Sequence, residues 1–363
     1  MAADPVRIAL DPRAFTEAER RLADFGAIRV SAFRYASGVA ALRVENGAGS
    51  VVLLPFQGQQ VWDASFLGRR LTMGSMFEEP WPTRDYLRTY GAFLIHCGGT
   101  SMGNPGPADD HPLHGELPNL PYQTAEMEFG EDDRGRYVVM TGTGRDSVAF
   151  HHNFVARPRL RLTEGSTVFD LTVRVENRSR ARLPFLYLAH INFRPVDGAE
   201  FVDAVVDDRA DIVVRPTDPG PDASPAVRAF HERVAADPGS HRHLSPGTPI
   251  EPELVLTMKV AADVDGWSHS LQRHPDGTAD VVSHRPGDLP HSVRWVARCG
   301  DQEALGLLLP ATAPPDGLAA ARANGHIVMV EPGGHFTTDL RFGALDRAVA
   351  DALTTRIAAL RGP

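Results

Sequence analysis

VFDLTVRVEN, residues 168–177, sets apolar side chains at Phe169, Leu171, Val173 and Val175 against polar ones at Asp170, Thr172, Arg174 and Glu176. A period of two is the pattern of a half-buried strand. On either side, segments near 137–150, 154–163, 183–194 and 200–206 continue the β rhythm. Nearer the start, from Ile28, come IRVSAFRY, VAALRVEN, GSVVLLPFQG and QQVWDASFLGRRL, each bounded by Gly, Asn or Pro. That punctuation belongs to an antiparallel sheet. Residues 215–250 form a proline- and charge-rich excursion, with helix expected over Ala226–Ala236. Strands resume at 252–262, 267–273, 279–284, 291–299, 303–309, 326–331 and 335–342. Two terminal segments read differently. DPRAFTEAERRLADF (11–25) spaces Phe15, Ala18, Leu22 and Phe25 as an amphipathic helix would, and ALDRAVADALTTRIAAL predicts a C-terminal helix. The expected organisation is a helical segment over 1–27, a large β-sandwich over 28–343 and a helix over 344–363. The fold class is all-β.

Composition narrows the function. The chain of 363 residues is long enough for one large core, and its net charge of −9 without a basic run excludes nucleic acid as an expected partner. No apolar stretch approaches a membrane span, and MAADPVRIALDPRAF carries no apolar signal core. Cys97 and Cys299 make no disulfide framework, so a cytoplasmic location is expected. No Gly-rich phosphate loop or dinucleotide fingerprint appears, so no nucleotide cofactor is expected.

The chemistry concentrates between Gly91 and Tyr122, GAFLIHCGGTSMGNPGPADDHPLHGELPNLPY. Glycine and proline at this density specify a fixed, non-repetitive path. Along it lie His96, the acidic pair Asp109-Asp110, and a His-x-x-His-x-Glu set at His111, His114 and Glu116. Imidazoles and carboxylates on a long loop point to a site. The alternative is a solvated loop whose histidines face water.

Several segments then resemble the galactose-mutarotase-like superfamily, in particular its aldose-1-epimerase-related branch. They run in the family's order over about 28–343: QGQQVWDASFLGRRL, GAFLIHCGG, PLHGELPNLP, FDLTVRVENRSRARLPFLYLAHINF, ALGLLLPATAP and VMVEPGGHFTTDLRF. The resemblance implies a supersandwich with a carbohydrate cleft on one concave face and a small carbohydrate or glycoside as substrate. It also implies anomeric interconversion, in which a glutamate takes the anomeric proton and a histidine protonates the ring oxygen. His190 in YLAHINF matches the acid histidine and is followed by Asn192. His114 in LHG matches the second site histidine. His96 falls where mutarotases place an arginine.

Three departures redirect that reading. Leu309, in LGLLLPAT, stands where the family writes its glutamate, and leucine takes no proton. His96 and Glu116 stand where the family carries no ligand. With His114 and His190 they make three histidines and a carboxylate, a donor set suited to Zn, Mn, Fe, Co or Ni. The expected catalytic residues are His190, His114 and Glu116, and the expected metal ligands are His96, His114, Glu116 and His190. His96, His111, Asn192, Trp81 and Arg84 are expected on the substrate; His111 also fits a place behind the ligands. His231, His241 and His243 read as solvated. Three functions remain open: a metal-assisted sugar isomerase, epimerase or lyase; a metal-free aldose 1-epimerase with His190 as acid and an unassigned base; and a non-catalytic sugar sensor.

Overall fold

The computed structural model describes residues 4–361. Val168–Asn177 is a strand inside the smaller of two sheets, paired with His152–Thr163 on one side and His335–Leu345 on the other. Its alternation works as read. Phe169, Leu171, Val173 and Val175 are buried in the core between the sheets, while Asp170 faces outward to Arg134 and Arg341. Among the described residues the two antiparallel sheets have nine and thirteen strands. Aromatic rings stitch them: Phe169 meets Phe66 edge to face at 5.5 Å, and Phe93 meets Phe342 at 5.8 Å. Such pairs add roughly 0.5–1.5 kcal/mol beyond the area they bury.

The N-terminal reading needs correction. Pro12–Ala14 is a single 3-10 turn, and Arg20–Phe25 is an edge strand paired with Ile28–Arg34. Glu17, Ala18, Arg20, Arg21 and Leu22 favour a helix, but the segment has few apolar side chains to bury and Leu22 is exposed; pairing with the neighbouring strand overrides the propensity. The other two helices form as expected, at Pro225–Ala236 and Arg347–Leu360. The strand His335–Leu345 lies inside the nine-stranded sheet. The strand Tyr122–Asp132 and the short helix Leu318–Ala323 have no counterpart in the sequence reading.

Five neighbouring strands of the larger sheet position the site, in the order Ile250–Met258, His291–Cys299, Gln302–Ala311, Leu183–Ile191 and Leu94–Gly99. One face of each packs into the inter-sheet core, the other onto a second apolar cluster outside it. In Leu183–Ile191, Tyr187, Ala189 and Ile191 face inward while Leu186 and Leu188 face outward. Gln302–Ala311 carries one extra residue: Val293 pairs with Leu309 but Trp295 pairs with Gly306. This bulge sends Leu307 and Leu308 both inward and brings Leu309 to the outer face.

The 215–250 excursion is anchored through charge. Arg242 grips Asp203 and Asp208, and fully buried Arg294 donates to Asp203 at 2.9 Å and to His241 Nε2 at 2.6 Å. His241, expected in solvent, is therefore a buried acceptor.

Candidate active site

The Gly91–Tyr122 stretch holds itself in place with its own polar groups. Gly98 O accepts from Glu116 N and Leu117 N, and Gly98 N donates to His114 O, so the loop folds back onto its own strand. Gly99 sits at φ +127, and a Cβ there would lie 2.0 Å from Glu116 Oε2; only glycine admits the carboxylate. Glu116 then accepts from Thr100 N at 2.7 Å and Thr100 Oγ1 at 2.6 Å. Farther along, Asp109 accepts from Gly106 N and Ala319 N, and His111 Nε2 accepts from Leu318 N while its Nδ1 donates to Pro112 O. The loop is docked on the Leu318–Ala323 helix by these bonds.

His114 is the residue this scaffold presents. It adopts φ 61, unusual for a non-glycine residue, held by its N–H to Gly103 O and by its carbonyl. Its ring lies 4.9 Å from Tyr86 and 5.5 Å from His190, and its Nδ1 is buried without a partner.

His190 is oriented from behind. Asn192 Nδ2 donates to Ala92 O at 2.9 Å, which turns Asn192 Oδ1 toward Tyr90 Oη at 3.2 Å and His190 Nδ1 at 2.7 Å. Nδ1 thus carries the proton, and Nε2 is left to exchange protons. Trp295 closes on the ring at 5.4 Å and donates its own N–H to Glu253 Oε2 at 2.7 Å. Burial depresses His190 to a pKa of about 4, with the bond to Asn192 opposing the shift. Burial and the neighbouring His190 hold His114 well below the ordinary histidine range. Both rings are neutral near pH 7.

These groups converge on a cavity of about 260 Å³. His114, His190, Glu253, Arg215 and Asn104 supply its polar wall, and Leu188, Val255, Val293 and Leu309 its aliphatic floor. Glu253 is the one carboxylate in that lining. The arrangement offers a carboxyl group, an imidazole with one free nitrogen, and an indole against which a ring can lie.

A family model described as "Domain of unknown function (DUF4432)" matches residues 36–344. The chain belongs to that family. No curated protein matches it by sequence. Solved structures match by shape. A provisionally assigned aldose 1-epimerase from Klebsiella pneumoniae superposes with a TM-score of 0.84 at 17% identity, over 99% of this chain and 96% of that one. A galactose mutarotase-like protein from Clostridium acetobutylicum gives 0.59 at 11% identity, over 89% and 100%. A galactose 1-epimerase from Lactobacillus acidophilus gives 0.52 at 11% identity, over 90% and 98%. The DUF4432 chain therefore has the galactose-mutarotase-like fold that its motifs implied.

Of the expected site residues in this DUF4432 chain, His114 and His190 meet at the cavity. The four-ligand metal set does not assemble, and among the described residues no three His, Cys, Asp or Glu side chains are grouped to hold a cation. His96 pairs with Ala189 across the strands and points with it into the inter-sheet core, where Nδ1 meets Tyr187 Oη at 2.8 Å. His190 is one residue away from that pair and therefore on the opposite face. Glu116 is spent on Thr100, and His111 on the helix. Asn192 lies behind His190, not on the substrate side. Arg84 donates to Asn119 O and Glu116 O, and Trp81 is half exposed outside the cavity. Two carboxylates near Leu309 in sequence lie outside the cavity lining: Glu303 sits with Gly74 and Arg298, and Glu331 with Arg182.

The sequence reading missed Glu253, Trp295 as a wall, Tyr86, Tyr90 and Arg215. One signal for Glu253 was present: in ELVLTM it shares a strand face with Val255, a charge in register with an apolar side chain.

Proposed function

We propose that this chain binds a monosaccharide in the His190–Glu253 cavity and interconverts its anomers. The observation that carries the reading is that Glu253 brings a carboxylate into the same cavity that Leu309 lines. The proton acceptor absent at 309 is supplied from another strand. In the forward step Glu253 takes the proton of the anomeric hydroxyl, and the bond from C1 to the ring oxygen breaks. The electron pair goes to the ring oxygen, which takes a proton from the protonated Nε2 of His190. Rotation of the free aldehyde and reversal of both transfers give the other anomer. Asn192 holds His190 in the one tautomer that leaves Nε2 for this exchange, and Trp295 offers an apolar face to the ring. His114 stands beside His190 and adds a second imidazole to the polar wall. The names of the similar solved structures, an aldose 1-epimerase and a galactose 1-epimerase among them, support the same reading.

Polarimetry of freshly dissolved α-glucose, α-galactose and other aldoses, with chelator present, tests it. The protein is expected to shorten the equilibration time of at least one sugar, and Glu253→Gln to reduce that rate by about 10²-fold or more. Sugar binding with no acceleration for any aldose would favour the sensor reading instead.

A further inference from the structure

One side of the cavity cannot hydrogen-bond a sugar hydroxyl. Its floor is four aliphatic side chains, Leu188, Val255, Val293 and Leu309. Leu309 lies over Gly306, against which a Cβ would come within 2.8 Å of it, so the floor is closed at that point by the leucine itself. The polar wall is only partly free: His114 Nδ1 and the Tyr86 hydroxyl are buried without a partner, but other groups are committed. His190 Nδ1 and the Tyr90 hydroxyl are on Asn192, the indole N–H of Trp295 is on Glu253, and Arg215 donates to Asp316 Oδ1 at 2.6 Å and Pro315 O at 3.2 Å. A hydroxyl driven onto the aliphatic floor would lose its water without gaining a partner.

Resting on the sugar-site reading above, we infer that the substrate is a deoxy sugar, with a CH₃ or CH₂ group in place of a hydroxylated carbon set against Leu188, Val255, Val293 and Leu309. The cavity volume of about 260 Å³ accommodates one sugar ring. Apolar pockets reject an added hydroxyl only modestly, so the expected discrimination is roughly ten- to hundredfold in kcat/KM.

Matched pairs test this: D-galactose against its 6-deoxy form, D-glucose against its 6-deoxy and 2-deoxy forms, and D-mannose against its 6-deoxy form. Anomer exchange is followed by NMR, and binding is measured in parallel by calorimetry. At least one deoxy partner is expected to exceed its parent about tenfold or more. Leu309→Asn, which places an amide on the floor, is expected to shrink that ratio toward one, and the near-isosteric Val293→Thr serves as a second, milder change should Leu309→Asn fold poorly. If every parent sugar equals or exceeds its deoxy partners in both turnover and affinity, the inference is overturned while anomer exchange stands. If deoxy sugars bind preferentially but none is turned over, the inference holds and the catalytic reading fails.

Discussion

The protonation of His190 decides how the site works. Its folded pKa of about 4 means that near pH 7 the imidazolium is a minor form. If His190 delivers the proton to the ring oxygen, that form limits the rate. kcat/KM should then rise as pH falls from 8 toward 5, by up to about tenfold per unit while His190 remains far above its pKa. A flat profile, or one rising with pH, would assign the acid role elsewhere. Asn192 accepts from both His190 and Tyr90. Asn192→Leu keeps the volume but removes the acceptor, so the imidazole should divide between its two tautomers, visible in ¹⁵N ring shifts, and kcat should drop by about 10²-fold with KM little changed. His190 was legible from its YLAHINF context, because that motif carries both the histidine and, two residues on, the amide that fixes it. Glu253 was not, because nothing in IEPELVLTM states which strands will lie beside it.

At the scale of elements, the Gly91–Tyr122 loop is a frame that presents one histidine. Its conspicuous residues are mostly internal fasteners: Glu116 on Thr100, Asp109 and His111 on the Leu318–Ala323 helix. Glu116→Ala should therefore cost about 1–3 kcal/mol of stability, measured by denaturant unfolding, by leaving Thr100 N and Oγ1 without their acceptor. It should change activity only through the placement of His114. The metal set suggested by sequence failed on register. A ligand pair drawn from adjacent strands needs both members on one face, and pairing His96 with Ala189 puts His96 and His190 on opposite faces. Most strands were readable along the chain from alternation and turn residues; sheet order and cross-strand register were not, since both depend on partners distant in sequence. The N-terminal edge strand was misread for a related reason, because its pairing with Ile28–Arg34 decided its state where its own pattern was weak.

The whole molecule buries histidine generously, and this ties its stability to pH. Burial depresses His96 and His190 to about 4 and His241 and His284 to about 3. The unfolded chain binds these protons near pH 6.5, where the folded protein refuses them. Stability is thus fully present above about pH 6.5 and is lost as pH falls through 6.5 toward 4, by about 1.4 kcal/mol per unit for each such histidine. A melting temperature that fails to drop steeply over that window would contradict the burial. The same loss should end the acidic rise in activity. Arg294, fully buried between Asp203 and His241, ties the excursion to the sandwich, and Arg294→Ala should cost about 3–5 kcal/mol by leaving Asp203 short of a partner. The central claim is that the cavity's proton acceptor has moved from position 309 to Glu253. Its most direct test is the anomer-exchange rate of Glu253→Gln beside that of the double variant Glu253→Gln/Leu309→Glu. The account predicts a loss of about 10²-fold or more in the first and partial recovery in the second; an undiminished rate in Glu253→Gln would contradict it.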